Sequence, residues 1–191
     1  MTRLRAARLL TDIVDPKNVI TVLCLLIGWK YGWRGVGWGA LAIVFCAVIP
    51  IAFIVITGEE KTFADRHVPE RARRFKVVIP VIVLSVLSCL TLMVVGGAPA
   101  PILSMVGAML ATLAVLWPIT KYTKISFHTA VLTGALAMLG LLYGPWWILS
   151  AALVPLVAWS RAQLNDHTPG QTIAGAVLGA LVAGPVFLLG L

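Results

Sequence analysis

The amino-acid sequence predicts an all-α, polytopic membrane protein: a bundle of six to seven transmembrane helices forming one domain over residues 1–191. Three observations carry that prediction. Hydrophobic residues make up 60% of the chain and charged residues only 12%, where a soluble domain carries about 25% charge. Mean hydropathy is +1.00. Apolar runs of roughly 20 residues, the length a helix needs to cross a bilayer, recur from end to end. In lipid, continuous runs of this kind satisfy their backbone amides as helices.

The elements follow in order. Residues 1–15 set Arg3, Arg5 and Arg8 among leucines and alanines at helical spacing, the pattern of a short helix lying in the membrane interface. A first span is expected over 16–33, ending in Trp29, Lys30, Tyr31, Trp33 and Arg34 at headgroup level. Its purely apolar part, 19–29, is short enough that a re-entrant path is the alternative. A second span covers 35–57 and a charged loop 58–76. Spans follow at 77–95 and 101–120, turning through Gly96, Gly97, Ala98 and Pro99. The fifth covers 126–142, and Gly144-Pro145 turns the chain into a sixth that reaches Trp159. The last begins beyond Pro169, and its Gly175 and Gly179, four apart, read as a helix-packing pair.

The net charge of +8 would suggest nucleic acid in a soluble protein. Here the cations lie between spans and no nucleic-acid module accompanies them, so membrane topology and anionic headgroups explain the charge, and no nucleic-acid partner is expected. All lysines and arginines except Lys30 and Arg34 fall on one face, which makes that face cytoplasmic. A re-entrant first span would move the N-terminal cations to the other side. The expected home is a bacterial cytoplasmic membrane. Cys24, Cys46 and Cys89 fall inside apolar runs without CxxC spacing and read as small core or lipid-facing side chains. Trp117, Trp146 and Trp147 read as interfacial belt residues.

Two polar interruptions stand out, Lys124-Ile125-Ser126-Phe127-His128 and the stretch from Trp159 to Gln171. Each sets a histidine beside a cation and a hydroxyl at the mouth of an apolar helix, where polar groups are costly and functional by default. Even numbers of spans separate these stretches from each other and from the charged loop, so all three return to one face. Histidines with basic neighbours point to chemistry on a phosphate. A neutral imidazole is a nucleophile near pH 7, and guanidinium groups match phosphate oxygens in bidentate fashion.

Ser160-Arg161, five residues, His167, three residues, Gln171 resembles the third signature of the type-2 phosphatidic acid phosphatase and vanadium haloperoxidase superfamily, with Gln171 where that family has Asp. Lys124 to His128 is similar to its second signature, keeping Ser126 and His128. Arg66, six residues, Arg73 is a loose counterpart of the first. The resemblance covers roughly 65–175, with 124–175 as the main active-site segment. It implies a metal-independent phosphatase with no cofactor, in which His167 attacks phosphorus and carries a phosphohistidine while His128 protonates the leaving oxygen. Arg66, Arg73, Lys124, Ser126, Ser160 and Arg161 would hold the phosphate oxygens, and Gln171 would orient His167. Asp65 reads as a partner that orients Arg66, His67 as a solvated loop residue, and Arg71, Arg74 and Lys76 as topological charges. Asp166, adjacent to His167, is expected to face elsewhere.

The function these residues imply is hydrolysis of an isoprenoid or glycerolipid phosphate or diphosphate, with membrane lipids as the surroundings of an amphiphilic substrate. Loss of the family's Asp leaves two alternatives. One is C–O ionisation of a prenyl diphosphate by a lyase, cyclase or transferase, the one reading under which Mg²⁺ enters. The other is a non-catalytic lipid-phosphate binding or transport protein.

Overall fold

The structure, a computed structural model, describes residues 2–56 and 78–191. The expected charged loop lies outside the described residues, and with it Asp65, Arg66, His67, Arg71, Arg73, Arg74 and Lys76. All regular structure among the described residues is helical. Helix α1 (Arg3–Ile13) leads to α2 (Pro16–Lys30), and a turn at Tyr31 opens α3, a continuous helix over Gly32–Ile56 with a π-helical turn at Val44–Val48. Then come α4 (Ile79–Gly96), α5 (Ala100–Tyr122) and α6 (Phe127–Tyr143). A 3₁₀ stretch, Pro145–Ala152, runs into α7 (Leu153–Gln163), and α8 is Pro169–Leu188.

Local chemistry sets the helix starts. Asp15 accepts from the Lys17 amide to cap α2, with Pro16 in the first turn. Ser126 caps α6 by accepting from the Thr129 amide, and Thr168 caps α8 with Pro169 behind it. The π-helical turn in α3 lies where Ser85 Oγ of α4 donates to the Phe45 carbonyl, 2.5 Å away, so a carbonyl at the irregular turn has a partner from the neighbouring helix.

Among the described residues, four helices are long and apolar enough to cross a bilayer: α3, α4, α5 and α8. They fit an integral membrane protein, and by length they fall short of the expected six to seven spans. Helix α2, at 15 residues, rises about 22 Å and α6, at 17, about 26 Å, short of a hydrocarbon core of about 30 Å. The expected sixth span is divided between the 3₁₀ stretch and an 11-residue α7. Pro155 falls in the first turn of α7, where a missing amide costs no intrahelical bond, and the irregular part of the expected span is the 3₁₀ stretch before it.

Short as it is, α2 runs the height of the bundle beside α6. Its cap Asp15 acts electrostatically on Arg161 at the end of α7. At its other end Lys30 Nζ donates to the Leu142 carbonyl at 2.5 Å, and Tyr143 Oη donates to the Leu26 carbonyl at 2.5 Å.

The core gathers Leu23 and Ile27 of α2, Val86 and Met93 of α4, Ile102 and Met105 of α5, Met138 and Leu139 of α6 and Phe187 of α8. Cys24, Cys46 and Cys89 lie in it as free, buried thiols. Leu84 and Leu181, well inside their helices, are 64% and 69% exposed, an outward face suited to lipid rather than water.

The most extensive helix pair is α6 with α8, and it positions the polar end. Gly175 and Gly179 of α8 press against the carbonyls of Ser126 and Ala130, where a β-carbon would collide with backbone. The packing role read from their spacing holds. The close approach lets Thr129 Oγ1 donate to the Thr172 carbonyl (2.9 Å) and Thr133 Oγ1 to the Ala176 carbonyl (2.8 Å).

Candidate anion site at one end of the bundle

The site begins at the end of α7. After Leu164 the chain reverses through Asn165, whose φ of 56° lies in the left-handed region that asparagine tolerates better than most residues. The amides of Asp166 and His167 then point back and donate to the Arg161 carbonyl, at 3.1 and 3.4 Å. Thr168 follows as the cap of α8 in a reciprocal capping box: Thr168 Oγ1 accepts from the Gln171 amide, and Gln171 Oε1 accepts from the Thr168 amide. The Ser126 amide donates to the Gln171 carbonyl, which ties the start of α6 to the first turn of α8.

These contacts bring Lys124, Asp166, His167, Thr168 and Gln171 around an open pocket of about 420 Å³. His128 on α6 lies within electrostatic range of both Arg161 and His167, and His167 in turn senses Arg161, Asp166 and Lys124. The two imidazoles, the lysine and the arginine therefore share one end of the bundle. His128 Nε2 and Arg161 Nε are buried there without a hydrogen-bond partner among the described residues. Buried polar atoms are rarely left so in a folded protein.

Gln171 settles the tautomer of His167. Its amide orientation is dictated by the Thr168 N–H, which requires an oxygen opposite it. The same Oε1 lies 3.3 Å from His167 Nδ1. Two acceptors do not bond each other, so Nδ1 carries the proton and Nε2 presents its lone pair. Burial, and then the Arg161 charge, hold the His167 pKa below its ordinary value, with the Gln171 hydrogen bond and the Asp166 carboxylate opposing them. Neutral imidazole is favoured near pH 7.

Some expectations change. Ser160 was expected among the phosphate-holding groups, yet its side chain is fully buried between helices, donating to the Val157 carbonyl (2.8 Å) and lying 3.1 Å from Thr11 Oγ1. It joins α1 to α7 and is removed from the pocket. Ser126 is also fully buried, with its oxygen used for the helix cap. Asp166 does not face elsewhere. The left-handed Asn165 swings it over α7, where its Oδ2 pairs with Arg161 Nη2 at 3.2 Å and its side chain lines the pocket.

Sequence reasoning missed Asn165, Thr168, Asp15 and Thr11. A signal existed for the middle pair: Thr-Pro with Gln three residues after the threonine is a capping-box pattern, and Asp15-Pro16 is a cap followed by a first-turn proline. Nothing local marks Thr11 as a partner of residue 160. The chain matches no protein-family model, no curated protein and no solved structure.

Proposed function

We propose that this protein is a membrane lipid-phosphate phosphatase, hydrolysing an isoprenoid or glycerolipid phosphate or diphosphate through a phosphohistidine on His167. The observation that carries the reading is the pair of buried, unpartnered nitrogens, His128 Nε2 and Arg161 Nε, beside a histidine whose Nε2 is left free. A phosphoryl group at this end would satisfy both. Its charge would meet Arg161 and Lys124, groups of the kind that stabilise phosphoryl transfer by spreading negative charge over fixed donors.

In the first step the Nε2 lone pair attacks phosphorus, and the bond from phosphorus to the leaving oxygen breaks. His128, protonated in the presence of the bound phosphate anion, gives its proton to that oxygen. The leaving group is the lipid alcohol for a monophosphate and the lipid monophosphate for a diphosphate. Water then attacks the phosphohistidine while His128 takes a proton from it, so orthophosphate leaves and both imidazoles return to their starting state. In this reading the shorter helices α2, α6 and the 3₁₀–α7 pair also cross, giving seven passes, and the pocket opens to the cytoplasmic face of a bacterial inner membrane.

The test is product analysis on farnesyl diphosphate and phosphatidic acid with purified protein. Orthophosphate is expected, and His167→Ala and His128→Ala abolish its release. Full activity in both variants overturns the mechanism. Gln171 in place of a carboxylate favours one second reading, C–O ionisation of a prenyl diphosphate. Pyrophosphate as product with strict Mg²⁺ dependence would identify it.

A further inference from the structure

Helix α1 belongs to no part of the proposed chemistry, yet it is built into the bundle at the site end. Its inward face carries Ala7 and Thr11, both buried, and continues to Val14, which packs with Leu132 and Val157. Thr11 Oγ1 meets Ser160 Oγ at 3.1 Å, one residue from Arg161. Asp15, just past the helix, acts on the Arg161 charge.

The rest of the helix is divided in two. Leu9 and Ile13, four apart and so on one face, are 49% and 60% exposed. Arg5, Arg8 and Asp12, at spacings of three and four, share another face, with Arg3 in the first turn. Arg3, Arg5 and Arg8 make no ion pair among the described residues. An exposed apolar strip beside unpaired cations, on a helix fixed at the polar rim of a membrane bundle, is charge- and polarity-complementary to one surface: acyl chains below and anionic headgroups above.

We propose that α1 is a membrane-surface anchor in which Arg3, Arg5 and Arg8 bind anionic phospholipid headgroups while Leu9 and Ile13 enter the acyl layer, and that this docking seats the Thr11–Asp15 corner against Ser160 and Arg161. The anchor thus holds the end of α7, from which Arg161 and the 165–168 turn are hung. It also gathers anionic lipid at the rim where an anionic headgroup would enter the pocket.

The experiment uses the full-length protein in nanodiscs of phosphatidylcholine, with and without phosphatidylglycerol. Leu9→Cys is labelled with an environment-sensitive fluorophore, and the unsubstituted protein, whose cysteines are all buried, is the labelling blank. In phosphatidylglycerol discs the probe is expected to emit as in an apolar medium and to be quenched by brominated acyl chains. The combined variant Arg3→Gln, Arg5→Gln, Arg8→Gln lowers the inserted fraction, by about fivefold in the docked-to-undocked ratio per arginine, and high salt does the same. Amide exchange over 160–167 is expected to slow in phosphatidylglycerol discs for the unsubstituted protein and not for the variant. A water-exposed probe, or insertion equal in neutral discs and in the variant, overturns the anchor. Insertion without any change in exchange at 160–167 overturns the seating of the corner. Neither readout needs turnover, so failure of the phosphatase reading leaves both standing.

Discussion

Gln171 serves two donors with one oxygen, the Thr168 amide and His167 Nδ1. An amide orients the ring but supplies only a dipole to the imidazolium that forms when His167 attacks phosphorus and that persists until water displaces it. Gln171→Glu keeps length and acceptor geometry and adds the charge. Turnover is expected to rise, by a factor bounded by the roughly 10⁴ that separates amide from carboxylate in the serine-protease triad. The acid limb of kcat/KM should move up with it, because a carboxylate favours the protonated ring. In the unsubstituted protein that limb lies below the ordinary histidine value of about 6.5, since the folded state depresses the His167 pKa. The sign for stability follows: between about 6.5 and the lower folded value the unfolded chain binds the proton and the folded one does not, so stability falls as pH falls through that window. Asp166 bears on the same chemistry differently. Its pairing with Arg161 at 3.2 Å occupies a guanidinium that phosphate would need. Asp166→Asn should lower KM, or tighten inhibition by inorganic phosphate, by about two- to fivefold, the equivalent of a part-exposed pair. A KM unchanged or raised in a steady-state comparison counts against this competition.

At the level of helices, α6 and α8 hold His128 and His167 in register through glycines on one side and threonine hydroxyls on the other. Thr129→Val and Thr133→Val each remove a donor to a carbonyl of α8. In a membrane protein such bonds average about 0.6 kcal/mol and reach about 1.7. The losses should appear in a detergent unfolding titration, with the double variant costing close to the sum. Gly179→Val is far more damaging, because the new side chain meets the Ala130 backbone rather than a movable tip. It should shift the unfolding midpoint more than both threonine variants together. The glycine pair was legible from spacing alone, since small residues four apart have few other uses in an apolar helix. Its threonine partners were not, because a threonine on a helix commonly bonds the carbonyl four residues back, as Thr112 and Thr120 do. The first span was expected to run on to Trp33 and the sixth to be one straight helix, because hydropathy integrates side chains and is blind to the turn at Tyr31 and to the 3₁₀ stretch at Pro145–Ala152.

Across the whole molecule, crossing parity was the most informative signal in the sequence. Even numbers of expected spans between 124–128 and 160–171 put both histidines at one end, and the structure brings Lys124 and the 162–171 segment around one pocket although the second of the two intervening spans is divided between a 3₁₀ stretch and α7. What parity cannot supply is which distant surface element joins that end. The Thr11–Ser160 contact spans 149 positions and depends on α1 folding back over α7, a tertiary choice invisible to local pattern. The same arrangement makes a topological prediction. Lys30 and Trp146 stand at the opposite end from Asn165, and among the described residues Arg3, Arg5, Arg8, Lys124 and Arg161 lie toward the Asn165 end, so that end should face the cytoplasm. A membrane-impermeant maleimide applied to intact cells is expected to label Trp146→Cys directly, as this side chain is 81% exposed. Asn165→Cys, also exposed, should react only after lysis. The opposite labelling pattern would put the pocket on the outer face. The lipid phosphates it meets would then be those already carried across the membrane, rather than newly made prenyl diphosphates arriving from the cytoplasm.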